Sequence, residues 1–157
     1  MDDNRKCCIV KLISAEQEEG VTSQVTIAIS LIKNTSRFEW FLEKATKIGV
    51  RQMIPLLCKR TEKEKFRYDR MHSIVMSAML QSQQCWLPHV HQPTNLEQVL
   101  KESTAEHKWI AHCLPQQKSS LSHAAKGTAG IILIGPEGDF TETEIAAALQ
   151  HGFSRLV

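Results

Sequence analysis

Four groups of residues have types and spacing that could do chemistry. Gly135-Pro136-Glu137-Gly138 is a short loop bounded by glycines. Glycines let the main chain come close to a ligand, and Pro136 stiffens the turn between them. The same residues also suit an ordinary tight turn. The stretch from Cys58 to Arg70 holds six cations, Lys59, Arg60, Lys63, Lys65, Arg67 and Arg70, against Glu62, Glu64 and Asp69. Phe66 and Tyr68 interleave with them, and cations with aromatic neighbours can hold phosphates and stack on bases. A solvated loop of mixed charge has the same composition. His89-Val90-His91 offers two imidazoles but no third ligand, so the two read as exposed strand residues and no metal is expected. The five cysteines show no C-x-x-C pair and no zinc spacing, which suits reduced thiols.

The elements that must position these groups follow from pattern. Ile131-Ile132-Leu133-Ile134 is an apolar, mostly β-branched run, the mark of a buried strand. Thr141 and Glu144 make a capping box, so a helix starts there and runs to about His151 and Gly152. The glycine loop therefore joins a strand to a helix, where open α/β sheets bind ligands. Upstream, strands are expected at Cys7 to Ile13, Val25 to Ile32, Gln52 to Leu57 and Lys108 to Cys113. Pro55 cannot donate to a ladder and predicts an edge or an irregularity in its strand. Ser36 with Glu39 and Thr94 with Glu97 repeat the capping-box spacing. Asn34-Thr35-Ser36, formally a glycosylation sequon, reads as a helix cap. The first helix places Phe38, Phe41, Leu42, Ala45 and Ile48 on one face, ending at Gly49. A longer helix capped by Asp69 turns Met71, Ile74, Val75, Ala78, Met79 and Ser82 inward. A weak helix is expected at Leu121 to Ala125, and a final strand from Phe153. Strand and helix alternate with short connections, which predicts an α/β fold: a mainly parallel sheet with helices on both faces.

Length and composition narrow the function. A chain of 157 residues suits one ordinary domain, and 42% hydrophobic with 23% charged residues is globular. A net charge of +2 is too small to require a nucleic-acid partner. Met1-Asp2-Asp3-Asn4 lacks the form of a signal peptide, and no apolar run has membrane-spanning length, so a cytoplasmic protein with no membrane partner is expected. Walker A, G-x-G-x-x-G and G-x-S-x-G sequences are absent. Phosphate binding at the Thr141 helix is disfavoured, because Glu137, Asp139, Glu142 and Glu144 would repel an anion.

Three collinear blocks go further. Arg37-Phe38-Glu39-Trp40-Phe41-Leu42-Glu43-Lys44-Ala45-Thr46-Lys47-Ile48-Gly49-Val50 precedes Ile54-Pro55-Leu56. Ala78, Gln81-Ser82 and Leu87-Pro88 follow. Leu133-Ile134-Gly135-Pro136-Glu137-Gly138-Asp139-Phe140 comes last, with Glu144-Ile145 and Gly152-Phe153. Together they resemble the 16S ribosomal RNA uridine-N3 methyltransferase family of the SPOUT (α/β-knot) superfamily over roughly Val25 to Val157. The departures are Gln84 where the family carries arginine, Lys47 where it carries glutamate, and Asp139 in place of the second glycine of "E-G-G".

The resemblance implies a SPOUT-like core in residues 24–157, with residues 1–23 a remnant of an N-terminal PUA-like RNA-binding domain and a linker. It implies methyl transfer from S-adenosylmethionine to N3 of a uridine in 16S ribosomal RNA of the small subunit. The cofactor would lie against Ile134, Gly135, Pro136, Glu137 and Gly138, with Cys113 and Leu114 as a second wall. No residue is a convincing catalytic base, and Glu137 is the nearest by position. Arg37, Lys44, Gln81 and Gln84, with Lys63, Lys65 and Arg67 of the basic stretch, are candidate RNA contacts. The family's C-terminal block, which makes the knot and one wall of the pocket, is not matched. The chain is therefore expected to be a piece of a longer protein with an incomplete knot, to bind the cofactor weakly or not at all, and to be inactive alone. The intact protein is expected to be a homodimer. The alternative is a non-catalytic RNA-binding α/β module.

Overall fold

The computed structural model describes residues 2–4, 7–16, 24–62, 65–115 and 129–156. Lys63 and the expected helix at Leu121 to Ala125 lie outside them. At the start, β1 (Asp2–Asn4) pairs antiparallel with β2 (Cys7–Ile9). The strand expected over Cys7 to Ile13 thus stops at Ile9. Beyond it the chain pairs with no other strand among the described residues, and Val10, Leu12 and Ile13 are 72%, 80% and 94% exposed.

The main sheet contains β3 (Val25–Ser30), β4 (Gln52–Leu57), β5 (His89–Val90), β6 (Thr94–Asn95), β7 (His107–Ala111), β8 (Gly130–Ile134) and β9 (Ser154–Leu156). Its order is β5-β4-β3-β8-β7-β9, with β6 beside β4, and every pairing is parallel. Helices α1 (Thr35–Lys47) and α2 (Tyr68–Gln81) cover one face. Helices α3 (Leu96–Glu102) and α4 (Glu142–Gln150) cover the other. Strand alternation builds both cores. On the first face Phe38, Leu42, Met53, Met71, Val75 and Val90 pack together, and on the second Ala28, Leu56, Ile110, Ile131, Leu133 and Ile145 do. This is the α/β fold expected from the alternation of patterns.

The helix starts differ in detail. Asn34 caps α1, its side-chain oxygen accepting from the amides of Ser36 (3.0 Å) and Arg37 (3.4 Å). Ser36 is already inside the helix, and Glu39 is turned to Arg70 instead of back to a cap. Asp69 lies in the first turn of α2, where its charge favours the helix dipole, and the cap position belongs to Arg67. Thr94 is recruited into β6 against Leu56, so α3 starts one residue later, at Leu96, with Asn95 at the cap position and no side-chain cap. Ile48, expected inside, is 77% exposed, because α1 ends at Lys47 and Gly49 (φ +84°) turns the chain away.

Pro55 does not mark an edge. It lies buried in β4 between β3 and the β5/β6 side. Leu56 accepts from Leu31 on the β3 side, and Met53 accepts from His91 on the other. Pro55 shares the parity of Met53, so its missing N–H faces the β5/β6 side. There β5 pairs with Gln52 and Met53, β6 pairs with Leu56 and Leu57, and neither reaches Pro55. The proline fits because the neighbouring strand is broken at that point.

Leu42 is fully buried where α1 meets the sheet and α2. Leu42→Ala should cost about 2–5 kcal/mol in urea unfolding, as core leucine truncations do. A loss under about 1 kcal/mol would mean that this helix face does not carry the core.

Candidate functional site

In a parallel sheet all strands end on one edge, and the loops that follow them gather there. The chain leaves β3 toward β4 on one side, and leaves β8 through α4 toward β9 on the other. Since β3 and β8 are neighbours, the connections diverge between them and leave a crevice of the kind that holds ligands in open α/β folds. Among the described residues, segments 31–34 after β3, 58–62 after β4, 112–115 after β7 and 135–141 after β8 lie at this edge.

The loop after β8 is shaped by its own residues. The Asp139 amide donates to the Pro136 carbonyl (2.9 Å), closing a turn, and Asp139 takes a left-handed φ of +63°. Gly135 lies against buried Phe140: a Cβ would stand 3.0 Å from the ring and 3.2 Å from the Phe140 nitrogen. Gly138 is open except for Arg60, whose Cδ a Cβ would meet at 3.4 Å. The Arg60 guanidinium donates to the Gly138 carbonyl, so this cation of the basic stretch lies across the glycine loop.

Two carboxylates bind the loops together. Asp139 Oδ2 accepts from the Cys113 amide (2.8 Å) and Oδ1 from the Phe140 amide (2.8 Å). Glu144, 7% exposed, completes the capping box with Thr141 and also accepts from the Lys59 amide at 2.8 Å. Burial disfavours the Glu144 charge. The Lys59 and Thr141 amides, the Thr141 hydroxyl and the Lys59 cation outweigh it and hold the carboxyl below its ordinary range. Next to it, the Cys58 thiol is pushed up to about 12, first by burial and then by the Glu144 charge, against hydrogen bonds with Ser30 and Thr61. Cys58 is therefore protonated and no nucleophile at neutral pH.

The structure brings all seven expected cofactor residues to this one edge. Ile134, Gly135, Pro136 and Leu114 are half-buried there, and Glu137, Gly138 and Cys113 are exposed. Leu114 also lines a cavity of about 370 Å³ with Ile145, Leu149 and Arg155. The candidate RNA contacts divide. Arg37 in the first turn of α1, with Lys65 and Arg67 before α2, stands at the loop edge. Lys44 and Gln81 belong to the last turns of α1 and α2, Gln84 follows the end of α2, and all three stand at the opposite edge. Gln84 is half-buried and donates to the Lys47 carbonyl (3.0 Å), fastening the two helix ends. Sequence reading missed Trp40, which is 61% exposed on α1 with Lys44 Nζ 5.8 Å from its ring centre. It also missed the links made by Asp139 and Arg60, for which no local pattern exists.

The family model of the RNA methyltransferase domain matches residues 18–157. The chain belongs to this family. It is 32% identical over 149 residues to the ribosomal RNA small subunit methyltransferase E of Synechocystis, a match covering 90% of this chain and 49% of that one. The chain thus spans about half the length of that curated relative. A probable rRNA methyltransferase of Porphyromonas gingivalis superposes with a TM-score of 0.81 at 31% identity, over 85% of this chain and 58% of that one. A putative methyltransferase of Legionella pneumophila, solved with bound S-adenosylmethionine, superposes with a TM-score of 0.75 at 26% identity, over 85% and 57%. The sheet order, the helices on both faces and these neighbours make the fold of this RNA methyltransferase domain a SPOUT fold. Among the described residues no helix is long and apolar enough to cross a membrane, and no three His, Cys, Asp or Glu side chains are grouped to hold a metal.

The lowered Glu144 carboxyl makes stability depend on pH with a definite sign. Its contribution is whole above the ordinary carboxylate range and is lost as pH falls through the folded-state value. Glu144→Gln should therefore remove part of the acid sensitivity of unfolding, and at neutral pH it should cost about 1–3 kcal/mol, because the Lys59 and Thr141 amides lose a charged acceptor. A variant whose stability falls with acid as steeply as the parent protein's would contradict this.

Proposed function

We propose that this domain is the catalytic core of an S-adenosylmethionine-dependent methyltransferase that modifies N3 of a uridine in 16S ribosomal RNA. The observation that carries the reading is the pair of loops 112–115 and 135–140 at the carboxyl edge, joined through Asp139, in a chain that belongs to an RNA methyltransferase family. The Legionella neighbour, 26% identical, holds S-adenosylmethionine, and the curated relative acts on small-subunit RNA by its name. Residues 24–157 would form the methyltransferase domain, and residues 1–23 the end of an RNA-binding part.

The residues present fit the cofactor. Leu114, Ile134 and Pro136 offer half-buried apolar surface, and the exposed main chain at Glu137 and Gly138 offers polar groups without a bulky side chain at Gly138. When bound, S-adenosylmethionine supplies an electrophilic methyl group on sulfonium. The domain then has two tasks: to hold the uracil ring so that N3 faces that carbon at attack distance, and to let the N3 proton leave. Glu137, the exposed carboxylate of the loop, is the candidate acceptor of that proton. Arg37, Lys65 and Arg67 stand on the same edge as the loop and would hold backbone phosphates of the RNA. A cytoplasmic homodimer acting on the small ribosomal subunit completes the reading.

Two measurements test it. Gly138→Val would put a branched side chain against Arg60 and the main chain it covers, and should abolish binding of S-adenosylmethionine by the intact protein in calorimetry while the far-ultraviolet circular dichroism is unchanged. Unaltered affinity would remove the loop from the pocket. Replacing Lys65 and Arg67 by glutamine should lower the salt slope of binding to small-subunit RNA by roughly 0.7–0.9 for each phosphate that is no longer neutralised. If RNA binds with this salt dependence and S-adenosylmethionine does not bind at all, the chain is a non-catalytic RNA-binding module.

A further inference from the structure

We propose that Asp139 is a positioning residue for the methyl-donor pocket: its carboxylate sets the distance between the two loops that form the pocket walls. The proposal rests on the reading that loops 112–115 and 135–140 hold the donor. The ladder between β7 and β8 ends at the pairing of Ala111 with Ile134. Cys113 lies two residues past that point and Asp139 lies five residues past it. Beyond the ladder the spacing of the loops is no longer set by that strand pair. The bond from the Cys113 amide to Asp139 Oδ2 (2.8 Å) is a link across this gap.

The conformation at Asp139 argues for the same role. Among the described non-glycine residues only Gln83 and Asp139 have a positive φ, and at +63° Asp139 is in the left-handed region. Short polar side chains tolerate that region best, but any side chain there is less favourable than glycine. At this position the carboxylate is used on both sides. Oδ1 holds the next amide, Phe140, whose ring is buried, and Oδ2 reaches across to Cys113. One end is therefore anchored in the core and the other holds the exposed wall. A flat purine held between two walls is sensitive to their spacing, so a carboxylate that fixes the spacing in advance lowers the cost of binding.

The left-handed φ supplies the variant for the test. Asp139→Gly keeps the backbone conformation at no steric cost and removes only the link, and Asp139→Asn keeps one oxygen to accept from Cys113. Nuclear magnetic resonance of the protein gives two independent readings, hydrogen exchange at the Cys113 amide and titration with S-adenosylmethionine or S-adenosylhomocysteine, which follows weak binding as well as tight. Asp139→Gly should raise Cys113 exchange and weaken donor binding by about tenfold each, as expected for the removal of one charge-assisted bond, with an unchanged spectrum in the core. Asp139→Asn should restore most of both. If the Asp139→Gly variant loses Cys113 protection but binds the donor as tightly as the parent, the link is structural only and the proposal is overturned. Retained protection at Cys113 in that variant overturns it as well. An intact parent protein, with its full length, whose spectrum does not respond to the donor refutes the cofactor reading itself, and this proposal with it.

Discussion

The carboxylate of Glu144 is the interaction on which the loop edge depends. An ionised side chain only 7% exposed would be costly without partners. Here one oxygen accepts from the Thr141 amide and hydroxyl and the other from the Lys59 amide. The first set starts α4, and the second fixes the beginning of the loop after β4, on the far side of β3. A single charge thereby holds two elements that the sheet alone does not bring together. The same charge makes its neighbour chemically inert, since it helps to push the Cys58 thiol up to about 12. The buried acid and thiol at this edge thus serve the framework, and Glu137 is the carboxylate of the glycine loop that is left exposed to solvent.

With the framework fixed, the position of each cation takes on meaning. Lys59 contributes its amide to Glu144 and its ammonium to the Thr143 hydroxyl at 3.1 Å. Arg70 is paired with Glu39 on α1. These two cations of the basic stretch are engaged within the fold, whereas Arg67 and Lys65 are exposed beside them. A run that reads as uniformly basic is therefore divided into cations that support the loop edge and cations turned to solvent.

Strands were legible because parallel strands buried on both sides must be continuously apolar, as Ile131 to Ile134 are. Helix starts were legible only where the partners were local and uncontested. Thr141 with Glu144, Ser36 with Glu39 and Thr94 with Glu97 share one spacing, yet only the first forms the reciprocal cap. Glu39 is drawn to Arg70, which lies 31 residues away, and Thr94 is drawn into pairing with Leu56. A local pattern cannot register a distant competitor. The same limit hid the features that define the site: Glu144 reaches an amide 85 residues away and Asp139 one 26 residues away. The site loop was recognisable from its glycines, but its attachments were not.

Gly135 and Gly138 look equivalent in the sequence, and the structure gives them different surroundings. Gly135 must lack a side chain because buried Phe140 closes on it, leaving a Cβ only 3.0 Å from the ring; its requirement is packing and would hold without any ligand. Gly138 has no such neighbour. The nearest group to it is the aliphatic part of Arg60, a long side chain at ordinary distance. Packing therefore does not require a glycine at this second position. Arg60 lies on that main chain while belonging to the basic stretch, its guanidinium donating to the Gly138 carbonyl. The basic stretch and the segment from the glycine loop into α4 are thus tied at three points, through Arg60 to Gly138 and through Lys59 to Glu144 and Thr143.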